Sequence, residues 1–356
     1  MSDVTEEKAI GWDAIDAQLQ KVYGDQKPKH YGSLISYRLG GDHPLDGVSV
    51  YENDEPIPHW HYVSYGLTEL YEKESENKEL SGYGFELTFR LKKETGETEP
   101  PMWVISLLQN LARYVMSTGN VFRNGDYMNA NGPICEGADT ELKALSFTED
   151  EQLQTISTAH GEVMFLQVIG ITEDELEAMQ CWNTSGVWQT AQEMNLLPNG
   201  MTDLSRASLL QNEAFNRRIT EGAEREGSST GFLYVDQLDF TLSKKLFRSA
   251  SYTLTIGAQQ TKMLGLILKG RLLKGESLTL AAKGFVIVFT LSHVFEVKPT
   301  EAGYILMLTE ENIEELVGLW KPKAGTYPLQ SAKGMSMLIA PTHLRDSSGN
   351  VVEVIG

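Results

Sequence analysis

His59 and His61 are two histidines whose type and spacing could do chemistry. The alternation in His59-Trp60-His61-Tyr62 predicts a β-strand that carries both imidazoles on one face. Such a pair can give two ligands to a metal ion, but a zinc site needs at least a third. Because the spacing fixes no third ligand, two interpretations stay open. One is a metal-dependent enzyme that uses this pair, and the other, which we favour, is a hydrogen-bonded structural pair.

Three further patterns associated with enzymes lack the context that their chemistry needs. Residues 227–231 read Gly-Ser-Ser-Thr-Gly, but a nucleophilic serine of this type follows a strand and precedes a helix. Here a polar helical segment comes first and a strand follows, so we interpret these residues as a flexible connector. Gly82-x-Gly84 lacks the third glycine of a dinucleotide site. Cys135 and Cys181 stand in no recognisable motif, so we predict no enzymatic activity and no cofactor.

The length and the charge distribution predict two domains and a basic partner. A chain of 356 residues exceeds what one hydrophobic core usually supports. Residues 1–200 carry 33 acidic and 13 basic side chains, whereas residues 201–356 carry 16 and 17. An acidic half repels phosphates, so we expect no nucleic acid and instead a basic protein or peptide. Solubility alone is an equally simple explanation of the acidic charge.

The sequence also carries signals about location. Residues 1–7 are acidic and lack the apolar segment of a secretory signal. No apolar run reaches the 18 residues expected of a membrane-spanning helix. Two cysteines without a paired spacing suit a reducing compartment. We therefore predict a cytoplasmic protein without membrane contact.

The order of predicted elements indicates an α+β protein with two mixed α/β domains joined by a flexible connector. We place an N-terminal domain at 1–212, the connector at 213–231 and a C-terminal domain at 232–356. Within the last domain, the apolar run at 262–269 predicts a strand that leads into Gly270.

Several long motifs resemble the suppressor of fused family. In the first domain these are Pro44-Leu45-Asp46, His59-Trp60-His61-Tyr62, Tyr65-Gly66-Leu67, Gly82-Tyr83-Gly84-Phe85-Glu86-Leu87-Thr88-Phe89-Arg90-Leu91, Leu111-Ala112-Arg113-Tyr114-Val115 and Phe165-Leu166-Gln167. Weaker matches follow at residues 269–275 and 305–311. The segment at 222–229 is short where animal members carry a long insert, so the chain resembles a compact bacterial-type member.

The resemblance implies a non-catalytic regulator that clamps an extended peptide segment of a partner between its two domains. The peptide would pair with sheet edges of both domains, and the domains would open and close about residues 222–231. The implied partner-binding residues are Tyr114, Phe122, Asp126 and Glu149 in the first domain and Met263, Gly265 and Ile267 in the second. Bacterial relatives imply an alternative, an immunity protein that neutralises a toxin domain.

Overall fold

The computed structural model describes residues 9–34, 37, 40–243, 251–345 and 349–356. The chain forms two compact units. Unit 1 comprises Met1–Leu176 and Ala191–Asn212, and unit 2 comprises Glu177–Thr190 and Glu213–Gly356. Both units contain helices and sheets with parallel as well as antiparallel strand pairs, which confirms the predicted α+β class.

Unit 1 is built on one large sheet. Its strands are β1 (Lys29–Gly32), β2 (Gly47–Asn53), β3 (His59–Tyr65), β4 (Leu80–Lys92), β5 (Tyr127–Asn129), β6 (Leu142–Glu149), β7 (Ile156–Thr158) and β8 (Gly161–Thr172). The strand order is β1-β2-β3-β4-β8-β6-β5, and β7 also pairs with β8. The β4–β8 pair is parallel, whereas β8 pairs antiparallel with β6 and β7. The helices are α1 (Ile10–Tyr23), α2 (Met102–Thr118), α3 (Glu173–Cys181), which crosses into unit 2, and α4 (Thr184–Glu193), which lies mostly there.

Alternation along β3 and β4 divides this sheet into two faces. One face packs against α2 in a core that includes Trp60, Tyr62, Leu87, Phe89, Leu108 and Leu111. The other face packs against α1 in a core that includes Ile15, Leu19, Val63, Tyr65 and Phe165. The face toward α1 also receives the polar side chains of β3 and β4, because residues two apart on a strand share a face. This arrangement buries His59, His61, Glu86, Thr88 and Arg90.

Unit 2 contains two sheets and a hairpin. Its strands are β9 (Phe232–Tyr234), β10 (Leu238–Ser243), β11 (Ser251–Gly257), β12 (Leu278–Ala282), β13 (Phe285–Leu291), β14 (Glu296–Pro299), β15 (Gly303–Leu308), β16 (Gly325–Pro328), β17 (Met335–Ala340), β18 (Thr342–Arg345) and β19 (Val351–Ile355). The sheet orders are β14-β15-β13-β12-β9 and β10-β11-β17-β16, and β18 pairs with β19. The helices are α5 (Glu213–Glu226), α6 (Thr261–Leu272) and α7 (Glu310–Leu319).

The predicted strand at 262–269 is wrong, because these residues lie inside helix α6. Its buried positions are Thr261, Leu264, Gly265, Ile267, Leu268 and Leu272. Their spacing of three and four residues follows the helical period, but a continuous apolar run does not separate a buried strand from a buried helix. A Cβ added at Gly265 would lie 3.5 Å from Val317 Cγ1, so this position faces α7.

The residues that we predicted as a connector, 213–231, belong to unit 2. Helix α5 occupies most of them, and the following segment makes specific contacts. Ser228 Oγ donates to the Gln180 carbonyl at 2.5 Å, and Arg271 Nη1 donates to the Ser228 carbonyl at 2.8 Å. Gly227 has φ +81°, and a Cβ there would lie only 2.0 Å from the Gly270 carbonyl oxygen. Domain opening about 222–231 stays a prediction.

Candidate functional site

The four residues predicted for partner binding in the first domain surround the β5 end of the unit 1 sheet. Tyr114 lies on α2, and its ring stacks on Phe122 with centroids 5.5 Å apart. Phe122 in turn stacks on Phe147 of β6 at 4.1 Å and 9° between the planes. Tyr114 is 38% exposed and Phe122 only 8%, so the three rings form a column from the core to the surface. Phe122 therefore supports Tyr114 from below.

The two predicted carboxylates stand on either side of the turn that follows Phe122. Asp126 Oδ2 accepts the Arg123 amide at 2.8 Å and so closes this turn. Exposed Glu149 ends β6 and is 3.5 Å from Asn124 Nδ2, a long contact. Because Asp126 has a structural task, charge reversal there would also disturb the turn. The isosteric change Asp126→Asn keeps an acceptor and is the suitable test of the charge. We call Tyr114, Phe122, Asp126 and Glu149 the unit 1 patch.

The residues predicted for the second domain do not provide a sheet edge. Met263, Gly265 and Ile267 all lie on α6, where Ile267 is fully buried in the core and Gly265 is buried against α7. The backbone groups inside a helix bond to one another, so they are not offered to an added strand. The expectation that this segment pairs with a peptide as a strand is therefore wrong.

Strand β9 offers the exposed edge that α6 does not, and sequence reasoning missed it. β9 is the last strand of the five-stranded sheet. On β12, the Thr279 amide donates to the Gly231 carbonyl and the Ala281 carbonyl accepts from the Val235 amide, so the residues on either side of β9 bond to β12. Since alternate residues face a neighbouring strand, the backbone groups of Phe232 and Tyr234 point away from β12. In the part of the chain that the structure describes, no strand pairs with that side of β9.

The side chains of β9 are also unusual for an edge strand. Phe232 is 51% exposed and Tyr234 is 74% exposed, and their rings meet edge-to-face at 5.3 Å. Edge strands are commonly protected by charged residues or proline. The other edge strands of unit 2 carry such residues: β14 has Glu296, Lys298 and Pro299, β16 has Pro328, and β10 has Asp239. β9 has none.

His61 belongs to a buried polar cluster on the α1 face of unit 1. Arg90 holds Asp150 through two parallel hydrogen bonds of 2.7 and 2.8 Å, and both side chains are fully buried. Arg90 also donates to Gln167 Oε1 at 2.6 Å, and Thr88 donates to Asp150 at 2.8 Å. Burial alone would raise the pKa of Asp150, but the Arg90 charge outweighs it and holds this pKa well below its usual range.

His61 belongs to this cluster, and His59 lies beside it on the same face of β3. His61 Nδ1 is 2.6 Å from the Tyr23 hydroxyl, and its Nε2 is 3.3 Å from Asp150 Oδ2 without hydrogen-bond geometry. Burial, and then the Arg90 charge, lowers the pKa of His61 to about 4. His59 Nδ1 bonds to the Ile57 carbonyl at 2.7 Å. Among the described residues, no group of three or more His, Cys, Asp or Glu side chains is placed to hold a metal ion.

A second buried acid, Glu86, lies farther along β4. Its two oxygens accept hydrogen bonds from the Ser64 and Thr68 hydroxyls and from the amides of Gly66 and Thr68. Burial raises the pKa of Glu86 to about 7, although these four hydrogen bonds lower it. The folded protein therefore retains a proton on Glu86 at a pH where the unfolded chain has released it.

We expect Glu86 to make unit 1 less stable as the pH rises. Between about pH 4.5 and pH 7 the folded state binds more protons at this position than the unfolded state, so the free energy of unfolding falls by about 3 kcal/mol. The always neutral variant Glu86→Gln lacks this loss. In denaturant unfolding across pH 4–8, the free energy of unfolding of the variant minus that of the wild type should therefore rise with pH.

His61→Gln is a control, because the contribution of His61 to stability should change with pH in the opposite direction. His61 has a lowered pKa, so its contribution to stability is present above about pH 6.5 and is lost as the pH falls toward 4. A pH-independent difference between Glu86→Gln and wild type would contradict the assignment of a protonated Glu86.

Comparison with known proteins identifies the family of the chain. The sequence model of the family described as "Suppressor of fused protein (SUFU)" matches residues 41–207. The human and mouse proteins named "Suppressor of fused homolog" are each 37% identical to the chain over 234 residues, 62% of this chain. The chain belongs to the suppressor of fused family. The matched stretch is 48% of each mammalian protein, so the chain spans about half the length of these relatives.

Solved structures of the family extend the comparison to both units. The crystal structure of Drosophila Suppressor of Fused has a TM-score of 0.76 and covers 95% of this chain and 99% of that one, at 22% identity. This match shows that the family fold includes unit 2. A chain of the Sufu-Fu complex crystal structure is 32% identical, with a TM-score of 0.56, and covers 60% of this chain and 98% of its own. No helix within the described residues is long and apolar enough to cross a membrane.

Proposed function

We propose that this chain is a non-catalytic cytoplasmic regulator that binds an extended segment of a protein partner as an added β-strand. The observation that carries the proposal is the edge of β9. There the backbone groups of Phe232 and Tyr234 point away from the sheet, and two exposed aromatic rings accompany them. Main-chain hydrogen bonds supply affinity in strand addition, and side-chain contacts supply selectivity.

We propose further that both units grip the same segment, as the family resemblance implies. Unit 1, taken by itself, supports this proposal with an exposed aromatic ring and two carboxylates beside β5, the last strand of its sheet. A solved complex titled Sufu-Fu shows that a relative binds another protein. In this chain, Tyr114 would pack against the partner and Glu149 would attract its basic groups.

The partner that suits these surfaces is a basic segment. Residues 1–200 carry a net charge of −20, whereas residues 201–356 carry +1. Complementary charge speeds association and excludes acidic competitors, while the apolar rings of β9 add contact area. We propose neither a cofactor nor a nucleic acid as a ligand.

A pair of substitutions at Tyr234 tests strand addition. Tyr234→Pro removes the outward N–H without touching the bonds to β12, whereas Tyr234→Ala removes the ring and keeps the N–H. We expect proline to weaken binding of the captured partner about tenfold or more beyond alanine, since it deletes a main-chain hydrogen bond and obstructs the added strand. The measurement is affinity capture from the native source, followed by titration of the identified partner segment.

The outcome separates this proposal from an alternative that the acidic charge favours. An immunity protein that covers a toxin domain with its acidic surface would bind with strong salt dependence and would not distinguish the two Tyr234 variants. Equal affinities for proline and alanine variants, with both folded, would overturn strand addition at β9.

A further inference from the structure

The five-stranded sheet of unit 2 has one face that points away from the core. Strand register aligns one residue from each strand in a row that crosses this face from β9 to β14: Phe232, Thr279, Val288, Ile305 and Lys298. Val288 and Ile305 are partly exposed, whereas the preceding Ile287 and the following Leu306 have no exposed surface and belong to the core. Because successive residues of a strand point to opposite faces, the row lies on what we call the outward face.

The outward face is apolar on both sides of this row. The next row contains Tyr234, Ala281 and Val286, and Met307 lies in the row on the other side. The other sheet of unit 2 carries a more polar row on its own outward side: Asp239, Thr255, Leu338 and Thr326. A sheet that is covered on one side commonly places polar residues on the other. The apolar outward face therefore indicates a surface that a further protein layer covers.

The charges at the border of the outward face cancel. Glu296 and Lys298 of β14 lie two residues apart on this side, with Lys298 Nζ 3.3 Å from Glu296 Oε2. In a two-fold interface a surface meets its own copy, so a face of one sign would repel itself. Residues 201–356 carry a net charge of only +1, whereas residues 1–200 carry −20. Self-association through unit 2 therefore meets little electrostatic opposition.

The shape and size of the outward face suit a second sheet. Its central side chains, among them Thr279, Ala281 and Val288, are short, so the surface is shallow and lacks the groove that a docked helix occupies. With strands about 4.8 Å apart and about 3.3 Å between residues along a strand, five strands give a face roughly 20 Å on a side. Two such faces bury on the order of 1,000 Å² together, an area that supports a weak dimer.

We propose that two copies of this chain associate through their outward faces, sheet against sheet. A two-fold axis parallel to the middle strand β13 brings the two Val288 side chains together. The same axis places Phe232 of each copy opposite Lys298 of the other, because these residues stand at the two ends of one row. An ammonium group over an aromatic ring is attractive, so the two ends complement each other. The inference does not depend on strand addition, which uses the backbone edge of β9.

Sedimentation equilibrium of the full chain from about 10 µM to about 1 mM tests the proposal, with a Kd on the order of 100 µM expected for the wild type. Val288→Lys should weaken the dimer at least about tenfold, since it brings two ammonium groups together at the axis. Thr255→Lys makes the same change of charge on the outward side of the other sheet and should leave the Kd unchanged. Amide NMR spectra check that each variant is folded.

Lys298→Glu keeps the proposal testable if Val288→Lys does not fold, because Lys298 is exposed on a border strand. It should weaken the dimer about fivefold by removing the cation opposite Phe232. A wild type that stays monomeric up to about 1 mM would overturn self-association, even if a captured partner segment shifts the Val288 and Ile305 amides and so claims the face for itself. Equal weakening by Thr255→Lys and Val288→Lys would also overturn it.

Discussion

Arg90→Met is expected to destabilise unit 1 by about 3–5 kcal/mol, because it leaves a buried carboxylate without its charged partner. Asp150 would keep its bonds from Thr88 and from the amides of Gln152 and Leu153, but these donors carry no formal charge. Methionine fills part of the volume of arginine, so loss of the charge rather than a large cavity should dominate. Denaturant unfolding, with unit 1 and unit 2 reported separately by NMR, measures the effect.

The double variant Arg90→Met/Asp150→Asn controls for the loss of packing. Asparagine is neutral and retains one oxygen acceptor for the loop amides, so the double variant should be more stable than Arg90→Met by at least about 1 kcal/mol. If the double variant is less stable than the single one, the buried charge is not the cause. A loss below about 1 kcal/mol in Arg90→Met would also contradict a tightly held pair.

Gly227→Ala should destabilise unit 2 by about 3 kcal/mol or more through left-handed strain and a backbone collision. Its φ is +81°, and the new Cβ would lie 2.0 Å from the Gly270 carbonyl oxygen. The backbone fixes the position of the Cβ, and the carbonyl is itself backbone, so neither can rotate out of the way. The measurement is the free energy of unfolding of unit 2, followed with the same NMR reporters.

Gly275→Ala separates the two causes. Gly275 has φ +83°, close to that of Gly227, but a Cβ there meets nothing within 4 Å. It should therefore cost only about 1 kcal/mol, the strain alone. Equal losses for the two variants would show that close packing against Gly270 does not explain Gly227.

These glycines also show where sequence reasoning is limited. Gly-Ser-Ser-Thr-Gly has the composition of a flexible linker, yet the same residue types permit close approach to a neighbouring backbone. Ser228 and Gly227 make such contacts with Gln180 and Gly270, which lie more than 40 residues away in the chain. Composition does not distinguish the two uses of glycine.

Segments with a regular hydrophobic pattern were predictable from the sequence, whereas the nearly continuous apolar run of α6 was not. The alternation in His59-Trp60-His61-Tyr62 placed β3 correctly. Helix α6 was mistaken for a strand because its apolar run is nearly continuous. β9 has three residues, too few for its sequence pattern to show that its aromatic rings lie at an exposed edge.

The buried cluster and the candidate surfaces depend on contacts between distant residues. Arg90 and Asp150 are 60 residues apart, and no local pattern in the sequence joins them. Glu149 came from the family resemblance, but the sequence could not tell that Asp150 beside it is buried while Glu149 and Glu151 are exposed. Tyr114 and Phe122 came from the family resemblance, and their stacking supplies a physical reason for keeping both.

Hydrogen–deuterium exchange at the Phe232 and Tyr234 amides tests the central claim, strand addition at β9, most directly. In the free protein these outward N–H groups should exchange rapidly compared with Leu233, which faces β12. Saturation with the captured partner segment should protect both by about tenfold or more, because each would donate to the added strand or be shielded by it. Unchanged exchange at both amides in a fully bound protein would contradict the account.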